Sequence, residues 1–191
     1  MGLFSRAKRS SAFPLFPSGA LARDKNFNSL LKLRKRQQDD GTKEEAVLKF
    51  FAYLYDRSRF KGAVTQFLNA YMRTCQDDPA SFDEKRARQL FVTVTAKLAE
   101  ALHGPVLRTG TTVTPLNQFE AVLVGAAEVV RTGGTMRVPK TRAWLDDAEL
   151  VAASTKGTNT PSTLTKRIER ARSILSRPPG RWRIPAKKKE A

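Results

Sequence analysis

The stretch Glu45–Met72, EAVLKFFAYLYDRSRFKGAVTQFLNAYM, holds two amphipathic helical segments on either side of a short break. Val47, Phe50, Phe51 and Leu54 recur at helical spacing before the break, the signature of a helix with one face on a core. After Gly62 the stripe resumes as Val64, Phe67, Leu68, Tyr71 and Cys75. The same period, punctuated by stop signals, extends in both directions. Upstream, Phe27, Leu30, Leu31 and Arg34 place a first helix over about 26–36, ended by Asp39–Asp40–Gly41. Thr42 with Glu45 reads as a capping box that starts the second helix. Downstream, Pro79 breaks the third helix, and Ser81 with Glu84 reads as a second capping box. The fourth helix carries Ala87, Phe91, Val94, Leu98 and Leu102 and stops at Gly104–Pro105. Pro115 stands near the start of a fifth, with Phe119, Val122, Leu123, Ala126, Val129 and Val130 inside and Gly133–Gly134 closing it. A sixth is expected over Thr141–Ala153. Thr160–Pro161 offers a cap and a first-turn proline for a seventh, with Leu164, Ile168, Ala171 and Leu175 on its apolar stripe. Thr111–Val113 and Met136–Val138 are too short to count as strands. The reading is all-α: a single bundle of about six or seven helices over 26–176. A basic, disordered arm precedes it over 1–25, and a basic tail containing Trp182 follows over 177–191.

The charge distribution supports that division. Of 191 residues, 35 are Lys or Arg and 18 are Asp or Glu, a net charge of +17. Residues 1–60 hold 13 bases against 6 acids, residues 61–136 hold 8 against 7, and residues 137–191 hold 14 against 5. A neutral middle with basic ends favours a polyanionic partner, because neutralising phosphates releases counterions. No apolar run reaches the roughly 18–20 residues that span a bilayer, so no membrane association and a cytoplasmic location are expected. The single cysteine, Cys75, excludes an internal disulfide and fits a reducing compartment.

The ordered motifs resemble a known family. The run Glu45, Val47, Leu48, Lys49, Phe50, Phe51, Ala52, then Phe60-Lys61-Gly62, then Phe67-Leu68-Asn69 and Met72, resembles the helical C-terminal half of ParB-like proteins related to the GmrSD modification-dependent restriction endonucleases. Phe27–Leu31 resembles that family's lead-in helix, Asn117–Gly125 its central helix, and Trp144–Asp147 with the loop 155–160 and Lys166-Arg167-Ile168 followed by Ala171 its closing segment. The likeness runs from about 27 to 176. It departs at two places. Lys49 stands where the family has arginine, and lysine cannot make a bidentate pair. The Asp-Gly-Gln-Gln-Arg motif of the family's upstream ParB/sulfiredoxin-like domain does not occur; Arg36–Gly41 has the wrong order. The family's nucleotide and nuclease chemistry therefore maps onto no residue of this chain. Phe50, Phe51, Phe67 and Leu68 read as packing residues.

Few residues suggest chemistry. His103, the only histidine, stands at a helix end, where a cation would suit the dipole, and it lacks the matched partners of acid–base catalysis. Cys75 lies on an apolar stripe and reads as a small core residue. Asp39–Asp40, Asp77–Asp78 and Asp146–Asp147 sit near helix ends, where aspartate caps, and adjacent carboxylates are too few for a divalent metal. The Thr/Gly loops match no phosphate-loop pattern. No cofactor and no metal are expected. Two features carry a binding expectation. In the seventh helix, Lys166, Arg167 and Arg170, with Arg177 one to two turns on, either reach phosphates and base edges in a groove or flank a core helix as a solvated face. In the tail, Trp182 between Arg181 and Arg183 either stacks on an unpaired base or docks back on the bundle. The expected function is a non-catalytic helical module of a GmrSD-like restriction or phage-defence system. It would bind DNA, a partner polypeptide that carries the ParB-like domain, or both. The alternatives are a truncated remnant without independent activity and a stand-alone nucleic-acid-binding protein; an enzyme with an unrecognised site ranks below these.

Overall fold

A computed structural model describes residues 18–176, which form one all-α bundle. The helices are α1 (Ser18–Leu21), α2 (Lys25–Ser29), α3 (Thr42–Tyr55), α4 (Val64–Asp77), α5 (Glu84–Leu102), α6 (Leu116–Arg131), α7 (Ala148–Thr155) and α8 (Pro161–Ser176). Short 3-10 turns at Lys35–Gln37, Arg57–Arg59, Pro79–Ser81 and Arg142–Asp146 join them. No strand occurs among the described residues. The bundle begins earlier than residue 26, since Leu21 and Ala22 are buried and α1 packs on α3.

α6 is the central element. It is buried without interruption from Gln118 to Val129 and packs on α3, α5, α7 and α8. Its apolar content all round, rather than on one stripe, is what a helix enclosed by others requires. α3 is nearly as enclosed, with Ala46–Leu48 and Phe50–Leu54 buried. Aromatic rings join the layers. Phe27 of α2 sits 5.4 Å from Phe91 of α5 and 5.7 Å from Phe119 of α6, and Phe50 sits 5.1 Å from Phe91. Tyr53, Phe60 and Phe67 form a second aromatic group that seats α4 on α3. Each such pair contributes about 0.5–1.5 kcal/mol beyond area burial.

α6 and α8 cross at close range. A Cβ on Gly125 would lie 2.6 Å from the Arg172 backbone nitrogen and 3.0 Å from the Ala171 Cβ. Glycine lets the two backbones meet there.

The structure departs from the sequence reading at three boundaries. The first helix stops at Ser29 rather than near 36. Beyond it the chain leaves helical geometry, because the Leu30 carbonyl accepts from Val106 N at 2.8 Å and Lys32 exchanges hydrogen bonds with Thr114. Those long-range bonds replace the helical ones. The sixth helix splits into the 3-10 turn and α7, because Asp147 leaves helical geometry and its carboxylate accepts from Leu150 N at 3.0 Å as a cap. The expected capping box at Thr42 does not supply its cap, since Asp40 accepts from Thr42 N, and α5 starts at Asp83, whose carboxylate accepts from Arg86 N at 2.9 Å. Thr160 does cap α8, accepting from Thr163 N.

Candidate functional site

The interior contains an ion-pair ladder. α6 carries Glu120 and Glu128 two helical turns apart, α3 carries Lys49 with Arg57 just past its end at the same spacing, and α8 supplies Arg167 and Arg172. Lys49 Nζ lies 3.1 Å from Glu120 Oε1 and 3.1 Å from Glu45 of its own helix. Arg57 donates to Glu128 Oε1 at 2.8 Å. From the other side, Arg167 Nη2 stands 3.7 Å from Glu120 Oε2 and Arg172 Nη1 stands 3.9 Å from Glu128 Oε2. Each glutamate is thus held between one base from the α3 side and one from α8. Arg167 also donates to the Thr158 carbonyl at 2.5 Å, tying down the 156–160 loop. Burial would lower the Lys49 pKa, but the Glu120 charge and its neighbours outweigh it and hold the ammonium above its ordinary value. Burial lowers that of Arg167, with Glu120 opposing the shift. Guanidinium stays protonated at neutral pH even so.

A second pair fixes α7 against α8. Arg170 binds Asp147 in bidentate fashion, Nε to Oδ1 at 2.8 Å and Nη2 to Oδ2 at 2.6 Å, and reaches Glu149 at 3.2 Å. Burial pushes the Asp147 carboxyl up, but the Arg170 and Leu150 hydrogen bonds overcome it and hold the pKa below the usual carboxylate value.

These pairs revise the basic stripe expected on the seventh helix. Arg167 is 1% exposed and cannot present its guanidinium to an outside ligand. The signal lies in the sequence: position 167 falls between Leu164, Ala171 and Ile174 at helical spacing, inside the apolar stripe. Arg170 is half-buried and engaged by Asp147. Lys166 alone of the three stands exposed, with Glu169 exposed nearby. Arg177, Arg181, Trp182 and Arg183 lie outside the described residues.

The surface left outside these pairs is basic. Among the described residues, 20 Lys and Arg are exposed against 10 Asp and Glu. Four of the exposed bases, Lys32, Arg34, Lys35 and Arg36, stand within five positions. The sequence shows this run plainly, but a helix over 26–36 would have scattered it around an axis.

A groove of about 1020 Å³ is lined by α4, by α5 and by the C-terminal ends of α3 and α6. Leu90, Val130 and Phe82 line it, with Cys75 at its inner side. Burial pushes the Cys75 thiol pKa up, so it is a poor nucleophile. Tyr55, 42% exposed, stands at the mouth, and the Arg131 guanidinium lies over its ring, 5.9 Å from the centroid. Arg59, Lys85 and Arg86 complete a basic rim. Arg59 pairs with Asp56 at 3.4 Å. Lys85, Arg86 and Arg131 have no ion pair among the described residues. Among those residues, no three His, Cys, Asp or Glu side chains converge as a metal site would need, and no helix is long and apolar enough to cross a membrane.

No protein-family model, no curated protein and no solved structure matches this chain.

Proposed function

We propose that this chain is a non-catalytic helical module that binds nucleic acid, DNA foremost, through its basic surface. The observation that carries this reading is the twofold excess of exposed bases over exposed acids among the described residues. A surface of that kind draws a phosphate backbone and releases its counterions. The cluster Lys32, Arg34, Lys35 and Arg36 and the exposed Lys166 are the groups offered by the bundle; Arg177, Arg181, Trp182 and Arg183, further candidates from the sequence, lie outside the described residues. The resemblance in the sequence adds the setting: a GmrSD-like restriction or phage-defence system, in which a partner polypeptide carries the ParB-like domain.

Gel-shift titration of the purified chain on duplex DNA tests the first part. Affinity should fall about 100-fold between roughly 50 and 200 mM salt, the size for about four phosphates neutralised. Absence of salt-sensitive retention would reject the reading. Affinity capture from the native host tests the second part: recovery of a polypeptide bearing the Asp-Gly-Gln-Gln-Arg motif is the expected result.

A further inference from the structure

The groove between α4 and α5 has a composition that duplex binding does not use. A duplex offers phosphates on a convex surface and needs no apolar cleft. Here an exposed tyrosine ring with an arginine stacked over it stands at the mouth of a cleft, and the rim carries four bases, Arg59, Lys85, Arg86 and Arg131, against two acids, Asp56 and Asp83. Asp83 is already engaged as the α5 cap and Asp56 with Arg59. The rim is net positive, and Lys85, Arg86 and Arg131 are its bases without an ion pair among the described residues. A ligand matched to this arrangement is anionic at intervals and planar and weakly polar between them.

We infer that the groove holds an unpaired nucleotide of single-stranded nucleic acid. Its base lies on the Arg131 guanidinium that the Tyr55 ring supports, and its flanking phosphates lie on Lys85 and Arg86. This rests on the nucleic-acid reading above and adds the strand state that the module selects. Aromatic–base stacking is sequence-tolerant, because every base has a π-face, and a cationic groove beside it tracks the backbone. Tyr55 is fixed for this role. Its ring is stacked on Phe51 and meets Phe82 edge-on at 6.0 Å, so little rotamer freedom is lost on binding.

The test is fluorescence anisotropy with a short labelled oligothymidylate and with a duplex of equal phosphate number. The wild-type chain should bind the single strand more tightly than the duplex. Tyr55→Leu should weaken single-strand binding about tenfold, within the range for one stacked base, and leave duplex binding unchanged. The double variant Lys85→Gln/Arg86→Gln, whose side chains are exposed and form no ion pair among the described residues, should lower the single-strand salt slope by about 1.4, the value for two phosphates neutralised. Equal binding of both ligands, with neither variant affecting the single strand, overturns the groove assignment and leaves the duplex reading standing. Failure to bind either ligand overturns both. Direct binding of a labelled acidic, phenylalanine-containing peptide that Tyr55→Leu weakens, with no binding of the oligonucleotide, also overturns it, assigning the groove to a protein.

Discussion

Glu120 sits 4% exposed between Lys49 and Arg167, and which of the three is removed decides the cost. Glu120→Gln leaves two cations buried without that counter-charge, and breaking a buried pair in that way costs about 3–5 kcal/mol. Arg167→Met leaves Glu120 paired with Lys49 and fills the same apolar stripe; about 1–3 kcal/mol is expected. Urea denaturation should therefore rank Glu120→Gln as clearly the worse, and equal losses would argue that the ladder is not a coupled unit. Asp147 gives a pH-dependent counterpart. Its folded pKa lies below the unfolded value, so its ionic contribution is present above about pH 4 and is lost as pH falls through the folded pKa. Asp147→Asn keeps the cap acceptor and removes the negative charge that faces Arg170. The stability gap to wild type should be about 1.5–3 kcal/mol at neutral pH and should narrow below about pH 4. A gap independent of pH would show that packing, rather than charge, makes the difference.

At the scale of elements, the α6–α8 crossing sets helix propensity against packing. An exposed mid-helix Gly→Ala change gains about 1 kcal/mol. At Gly125 the added Cβ would meet backbone of α8 at 2.6 Å, and backbone cannot give way as a side-chain tip can. Overpacking costs about 1–3 kcal/mol, so Gly125→Ala should lower the melting temperature; a rise would mean that α8 can move outward freely. Gly62 shows the same logic in a loop: its φ is +100° and its Cβ position faces the Asn159 carbonyl at 2.9 Å. The break after α3 and the loop before α8 therefore touch, although they lie far apart along the chain.

At the scale of the whole molecule, stability and binding separate. Glu120, Glu128 and Asp147, which tie helices together, are buried, and the bundle's bases proposed to bind nucleic acid are exposed. Replacing Lys32, Arg34, Lys35 and Arg36 by glutamine should leave the melting temperature within about 1 °C, since exposed charges contribute little to stability, and should flatten the duplex salt slope by about 0.9 for each phosphate no longer neutralised. A drop in melting temperature of several degrees would instead assign these bases a role in folding. What the sequence determined by itself was the helical class and the long helices α3, α4, α5, α6 and α8, because period, proline, glycine and cap residues act within a few positions of one another. It also marked the core: Phe50, Phe51, Phe67 and Leu68 are all buried as their spacing required. The tertiary structure alone decided the rest. The first helix ends at Ser29 because the backbone partners of Leu30 and Lys32 come from residues 106–114, far along the chain. Arg167 points inward because Glu120 of another helix offsets the cost of burying it. The basic groove is built from residues of α3, α4, α5 and α6 that lie as far apart in the chain as Tyr55 and Arg131, and no local pattern encodes how separate helices come together.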